Sequence, residues 1–115
     1  MRAFRVLSLG YDSMLMPIRT MLLKQAGYHV IESHSVDSAL LQIKSAPIDL
    51  LLICHTVPSD EQDALIAAVK AIRPKLPILC LAISPIQSVR QGCLNGYSTA
   101  PQFLNDVNRV LLPKS

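Results

Sequence analysis

A cysteine, Cys54, lies where an apolar segment of the chain gives way to a polar one. The residues before it, Leu50–Ile53, are all aliphatic, and His55 follows it. An aliphatic run of this length is typical of a strand that is covered on both faces, as in a parallel sheet. In an open α/β sheet, ligands and reacting groups collect beyond the carboxyl ends of the strands. The identity of this residue therefore distinguishes a working active site from a retired one.

A thiol at this place could be a nucleophile or a redox sensor. It would need a cation or a helix N-terminus nearby to favour the thiolate. His55 is adjacent in sequence, but neighbouring strand residues point to opposite faces, so a Cys54–His55 pair requires a sharp turn after Cys54. The alternative is that Cys54 is a small, semi-apolar filler.

Acidic and histidine side chains are the other candidates for chemistry. Four carboxylates in or near loops at the same edge could assemble a cation site: Asp12, Asp60, Glu61 and Asp63. Acidic residues in a first helical turn commonly complement the helix dipole, and that interpretation is favoured for the last three. His29 and His34 flank the second predicted strand and are expected at the surface, far from Cys54.

Length and composition limit the class of protein. With 115 residues, of which 50% are hydrophobic and 17% charged, we predict one globular domain over residues 1–115. The net charge of +3 comes from scattered basic residues, whereas nucleic-acid-binding surfaces cluster such residues. No apolar run approaches the roughly 18 residues that a membrane span needs. The chain has three cysteines without a C-x-x-C spacing: Cys54, Cys80 and Cys93. They indicate neither a disulfide framework nor a zinc motif. We expect a cytoplasmic protein.

Five strands are predicted to alternate with five helices. The strands are 4–9, 28–32, 48–53, 77–83 and 94–98. Short connections and right-handed crossovers then predict a doubly wound α/β fold with a five-stranded parallel sheet of flavodoxin-like order 2-1-3-4-5.

Helix ends and apolar stripes are also visible in the sequence. Met14, Leu15, Ile18, Met21 and Leu22 recur at helical spacing in the first helix. Gly27 is expected to end that helix, Ser35 to cap the second, and Ser59-x-x-Gln62 to form a capping box for the third. A short fourth helix is predicted from Ser84 to about Gln91, and the fifth begins near Gln102.

Several strings resemble the receiver domain of bacterial two-component response regulators. They are VLSLGYD (6–12), QAGY (25–28), DLLLIC (49–54) with Pro58 after it, PILCLA (77–82) and NGYSTAP (95–101). The resemblance covers essentially the whole chain and implies the same fold. It also implies a phosphoryl transfer from a histidine kinase to an aspartate, with Mg²⁺. In the family, the groups that take part in this transfer are an acidic pair, the acceptor aspartate, a hydroxyl side chain and a lysine.

The chain departs from the family pattern at each of those positions. The acidic pair falls on Gly10 and Tyr11, the acceptor on Cys54, the hydroxyl on Ala82 and the lysine on Ala100. Asp12, Pro58, Tyr97 and Pro101 keep family-like character. The resemblance therefore implies a degenerate receiver without catalytic residues, cofactor or Mg²⁺.

We accordingly predict a non-enzymatic, phosphorylation-independent signalling module that binds a protein partner or a second copy, with no nucleic acid and no membrane as partners. The predicted surface comprises the fourth helix, fifth strand and fifth helix: Ile86, Val89, Arg90, Tyr97, Asn105 and Arg109. Ala82 could leave space that holds the Tyr97 ring inward. Two alternatives remain, a thiol-based sensor or enzyme centred on Cys54 and a small-ligand receptor that uses an emptied pocket.

Overall fold

The computed structural model describes residues 4–11, 14–82, 94–97 and 102–111, with only the backbone of 15, 82, 94–97, 102 and 103. The elements within these ranges are β1 (Arg5–Leu9), α1 (Leu15–Gln25), β2 (His29–Ser33), α2 (Val36–Ser45), β3 (Leu50–Ile53), α3 (Ser59–Ile72), β4 (Ile78–Ala82), β5 (Leu94–Tyr97) and α4 (Gln102–Leu111). The helix predicted from Ser84 to Gln91 lies outside the described residues, so α4 is the fifth helix of the sequence prediction.

The strands form a parallel sheet in the order β2-β1-β3-β4-β5. The predicted α/β class and parallel sheet are confirmed, and β2-β1-β3-β4 follow the predicted order. The backbone of Leu94–Tyr97 pairs with β4, and Ala82 lies opposite Tyr97. At the other side β2 is the edge strand, because among the described strands it pairs with β1 alone.

Side chains of alternate strand residues enter two separate cores, one on each face of the sheet. Leu7, Leu51 and Ile53 pack with residues of α2 and α3. Leu50, Leu52 and Cys54 pack on the other face with residues of α1 and α4. Because strand residues alternate between faces, Cys54 continues the run of Leu50 and Leu52, and its side chain points toward α1.

Two of the three predicted helix ends have the expected geometry. Gly27 follows α1 with a φ of +97°, and the Ser35 hydroxyl accepts a hydrogen bond from the Ser38 amide at 3.1 Å. The predicted capping box at Ser59 is wrong. Helix α3 already includes Ser59 and has Pro58 at its N-cap position without a side-chain cap. The Gln62 side chain instead donates to the Val57 carbonyl at 2.7 Å, which ties the helix to the preceding loop.

Replacing Gly27 with alanine should lower the free energy of unfolding by about 1–2 kcal/mol, the usual penalty for a side chain in left-handed backbone. An added Cβ at this position would have no atom within 4 Å, so the whole effect would come from the backbone. Urea denaturation measures the change. Gly27→Asn is the matched control and should cost less, because asparagine tolerates this conformation better.

Helix α1 turns a different face to the sheet than its apolar stripe suggests. The buried residues are Met16, Arg19 and Leu23, whereas Ile18 is 49% exposed and Met21 52% exposed. Apolar side chains occur around most of this helix, so sequence periodicity specifies its orientation weakly. The consequence is that a charged residue, Arg19, lies against the sheet. None of the described helices is long and apolar enough to span a membrane.

Candidate functional site

The site lies at the carboxyl ends of β1 and β3, where Gly10 and Cys54 are neighbours. The Cys54 amide donates to the Leu9 carbonyl at 2.9 Å, which continues the pairing of the two strands past their ends. An added Cβ on Gly10 would lie 3.0 Å from the Cys54 sulfur. Cys54 is 0% exposed. Two positions that the sequence pattern singled out are thus brought into contact, below the surface.

Arg19 supplies a cation to this site from helix α1. Its side chain is 3% exposed, and its Nη1 donates to the Cys54 sulfur at 3.0 Å. A guanidinium is a delocalised cation, so a positive charge lies against the sulfur. From the sequence, Arg19 was counted only among the scattered basic residues. The available signal was a single arginine inside the apolar run MLMPIRTMLL.

Met16 fills the remaining space above Gly10. Its Sδ lies 3.6 Å from the Cys54 sulfur and 3.8 Å from the Ser8 hydroxyl. An added Cβ on Gly10 would approach the same Sδ to 2.6 Å. Met16 therefore occupies the space between Gly10 and the Cys54 sulfur.

Tyr11 joins the two loops at the mouth of the site. Its amide donates to Thr56 Oγ1 at 3.0 Å, and its hydroxyl donates to the Glu61 carboxylate. Residue 61 belongs to the first turn of α3, so Tyr11 links the loop after β1 with the loop and helix after β3. The hydrogen bond to Glu61, followed by burial and the negative charge of Glu61, raises the pKa of Tyr11 to about 12.

The Tyr11–Glu61 hydrogen bond should make the free energy of unfolding depend on pH in the alkaline range. The pKa of Tyr11 is raised from 10.0 to about 12 in the folded protein, so above pH 10 the unfolded chain loses its phenolic proton first. Stability then falls between pH 10 and 12, because the folded state holds more protons than the unfolded state. Urea midpoints at pH 9 and above should show this fall in the wild type and a smaller fall in Tyr11→Phe. Equal slopes for the two proteins would contradict it.

His34 lies closer to the site than its place in the sequence predicted. It is exposed, as predicted, but its Nδ1 is 3.2 Å from the Gly10 carbonyl oxygen. The expectation that it lies far from the Cys54 site is therefore wrong, because β2 adjoins β1 and their carboxyl ends meet at the same edge. His29, at the opposite end of β2, is exposed as predicted.

The structure describes some of the other predicted positions and not others. Asp60 is exposed in the first turn of α3, as expected for a residue that complements the helix dipole, and Asp63 is exposed beyond that turn. Cys80 is buried in the core, as predicted. Positions outside the described residues are Asp12, Ile86, Val89, Arg90, Cys93 and Ala100.

Two residues of the predicted interaction surface have described side chains. Asn105 and Arg109 are exposed on α4, and Arg109 pairs with the buried Asp106 at 3.0 Å. Tyr97 and Ala82 are described by their backbone, which places them side by side at the ends of β5 and β4. The predicted inward position of the Tyr97 ring stays a prediction.

The described residues of the site do not fit Mg²⁺. That ion requires hard oxygen ligands in near-octahedral arrangement, whereas two sulfur atoms and a guanidinium line this space. Glycine at position 10 provides no side-chain oxygen, and Met16 occupies the volume in which a longer side chain would lie. Within the described ranges, no three His, Cys, Asp or Glu side chains are grouped so that they could hold a metal ion.

Comparisons with known proteins agree on the fold. No protein-family model matches the chain, and no curated protein matches it. Among solved structures, chemotaxis protein CheY4 of Vibrio cholerae superposes with a TM-score of 0.81 at 20% identity, covering 96% of this chain and 100% of that one. A putative response regulator from Chloroflexus aurantiacus gives a TM-score of 0.80 at 22% identity, covering 96% and 98%.

A third similar structure is the receiver domain of sensor histidine kinase PA1611 from Pseudomonas aeruginosa, which was solved with magnesium in its active-site cleft. It has a TM-score of 0.77 and 18% identity, and the match covers 96% of this chain and 95% of that one. At such low identity the likeness concerns the backbone. The chain has the flavodoxin-like fold of response-regulator receiver domains.

Proposed function

We propose that this chain is a non-enzymatic signalling module of receiver fold that acts through protein interaction and without phosphorylation. The observation that carries the proposal is the set of contacts around the Cys54 sulfur. Cys54 occupies the strand exit, fully buried, with Arg19 and Met16 in contact with its sulfur. Phosphoryl transfer depends on positioning and on neutralising charge with metal ions, whereas a guanidinium and a thioether are in contact with this sulfur.

Arg19 also gives the proposal an electrostatic basis. A fixed positive charge 3.0 Å from the Cys54 sulfur would repel a divalent cation placed beside it, since like charges are weakly screened in a buried site. We infer that the domain keeps one conformation around this site, with no chemical event to change it.

The decisive experiment exposes the protein to Mg²⁺ with acetyl phosphate, and separately to beryllofluoride. Intact mass spectrometry should show no phosphoryl adduct, and amide NMR shifts around Cys54 should stay constant as beryllofluoride is added. A phosphorylatable receiver domain treated in parallel is the positive control. A stable adduct in the wild type that is lost in Cys54→Ala would overturn the proposal, as would saturable shifts around Cys54.

The proposed interaction surface includes helix α4. Asn105 and Arg109 are exposed on one helix next to β5, and Ile86, Val89, Arg90 and Tyr97 complete the surface in the sequence prediction. A protein partner or a second copy would bind there. Sedimentation equilibrium of the Arg109→Glu variant, compared with the wild type, tests whether this surface takes part in self-association.

A second candidate function, a thiol sensor at Cys54, is favoured by the Arg19 contact. A cation beside a sulfur favours the thiolate, which is the reactive form. Iodoacetamide labelling across a pH series, with Cys54 identified by peptide mass, tests this in wild type, Arg19→Lys and Arg19→Met. Labelling of Cys54 at neutral pH that requires the charge at position 19 would support the sensor. Labelling that begins near pH 8.5, about the ordinary thiol value, would remove it.

A further inference from the structure

Helix α1 presents an apolar stripe on its outer surface. Met14, Ile18 and Met21 are 78%, 49% and 52% exposed. Their spacing of four and three residues places them on one side of the helix. Among the described residues, the other large apolar side chains with comparable exposure are Tyr11, Leu41 and Ile72, which belong to three different segments. Met14, Ile18 and Met21, here called the outer α1 stripe, are thus the members of that exposed apolar set that share one side of a helix.

A groove of about 480 Å³ runs beside this stripe, between α1 and the edge strand β2. It is lined by Pro17, Thr20, Met21, Lys24, Gln25 and Glu32. The Thr20 hydroxyl donates to the Glu32 carboxylate, and His34 Nε2 lies 3.9 Å from the same carboxylate. These contacts position a negative charge on the strand side of the groove, while Lys24 provides a positive charge on the helix side.

The arrangement of charges indicates which partner fits. The groove carries one cation on one wall and one anion on the other. If a two-fold axis passes between these two charges, the groove of a second copy is complementary to that of the first. Lys24 of each copy then faces Glu32 of the other. Interfaces of this isologous kind are the commonest in soluble homo-oligomers. Met21 belongs both to the outer α1 stripe and to the groove lining, so the same contact would bury apolar surface of the stripe.

We propose that the α1–β2 face is the contact surface of a homodimer, held by burial of the outer α1 stripe and by two symmetric Lys24–Glu32 pairs. This inference is independent of the phosphorylation question, because no residue of the Cys54 site takes part in the contact. It also differs from the α4 surface proposed above, because Asn105 and Arg109 belong to a different helix, although α1 and α4 pack on the same face of the sheet.

Sedimentation equilibrium up to about 1 mM protein, which detects even weak dissociation constants, tests the dimer. Lys24→Glu and Glu32→Lys should each weaken dimerisation by about tenfold or more, because each places like charges opposite one another. An equimolar mixture of the two variants should form heterodimers again, since position 24 of each chain then faces the opposite charge at position 32 of the other. Circular dichroism verifies that both variants are folded.

Leu41→Lys is the matched control, because Leu41 is 64% exposed but belongs to α2. It should leave dimerisation unchanged, whereas Met21→Lys should abolish it. A wild type that is monomeric at the highest concentration would overturn the inference. So would a dimer that is dissociated by Arg109→Glu and is insensitive to both charge reversals, which would place the interface on α4. Failure of the mixture to form heterodimers would also overturn it.

Discussion

Replacing Gly10 with alanine should destabilise the domain by about 1–3 kcal/mol, as overpacking of a filled core site usually does. The new Cβ would lie 2.6 Å from Met16 Sδ and 3.0 Å from the Cys54 sulfur. The approach to Sδ is shorter than real Cβ contacts, so the Met16 side chain must shift, and Cys54 must give by a few tenths of an ångström. The φ of Gly10 is not in the left-handed region, since Gly27 is the glycine found there in the described chain. The expected loss of stability therefore comes from steric overlap and not from backbone strain.

A double-mutant cycle with Met16→Ala tests this explanation. Met16→Ala alone should cost about 2–5 kcal/mol, as for other buried methionines. After Met16 has been truncated, Gly10→Ala should cost clearly less, with a coupling of about 0.5–3 kcal/mol between the neighbours. Urea denaturation provides all four values. Gly27→Ala is the control, because its cost should be unaffected by Met16→Ala.

Additive costs for Gly10→Ala and Met16→Ala would show that Met16 does not fill the space above Gly10. The result also concerns function. A carboxylate at position 10 is larger than a methyl group, so restoring the acidic residue of the family pattern would meet the same obstacle. We expect that Gly10→Asp alone yields a less stable protein and no Mg²⁺ binding.

Leu23→Ala should destabilise the domain by about 2–5 kcal/mol, the usual cost of truncating a buried leucine. Leu23 is 0% exposed in the core between the sheet and α1, whereas Ile18 on the same helix is 49% exposed. Ile18→Ala should therefore cost less than about 1 kcal/mol, as half-exposed surface substitutions do. The two substitutions remove aliphatic groups of equal carbon number from one helix, so they form a matched pair.

Urea midpoints of both variants determine which face of α1 is turned toward the sheet. Equal costs, or a larger cost for Ile18→Ala, would contradict the observed orientation and would also remove the basis for the outer α1 stripe. A large difference in the expected direction would establish that Arg19, four residues before Leu23, lies on the buried face. The same comparison therefore tests the fold and the position of the cation beside Cys54.

Much of the fold could be predicted from the sequence because its signals are local. Aliphatic runs such as Leu50–Ile53 indicate buried parallel strands, and Gly27 and Ser35 mark helix ends for conformational and hydrogen-bonding reasons. The α3 start was misplaced because both Ser59 and Pro58 suit a helix N-terminus. Burial of Gln62 and its bond to the Val57 carbonyl depend on the loop that precedes the helix, which the capping-box pattern does not describe.

The composition of the site was likewise visible in part. The sequence alone shows a cysteine at position 54, a glycine at 10 and a tyrosine at 11, which is enough to predict that the acidic side chains of the family pattern are absent there. It predicted an emptied pocket. In the described part of the site, Met16 and Arg19 contact the Cys54 sulfur, and these contacts could not be predicted from the sequence.

What the sequence by itself determined is the α/β fold, the strand exit at Cys54 and the absence of a carboxylate at that exit. The tertiary structure decided which residues surround Cys54. Helix α1 is apolar on nearly every side, so its own periodicity does not choose a buried face, and the choice depends on contacts with the sheet. Those contacts place Arg19 and Met16 against the sulfur and leave Met14, Ile18 and Met21 at the surface.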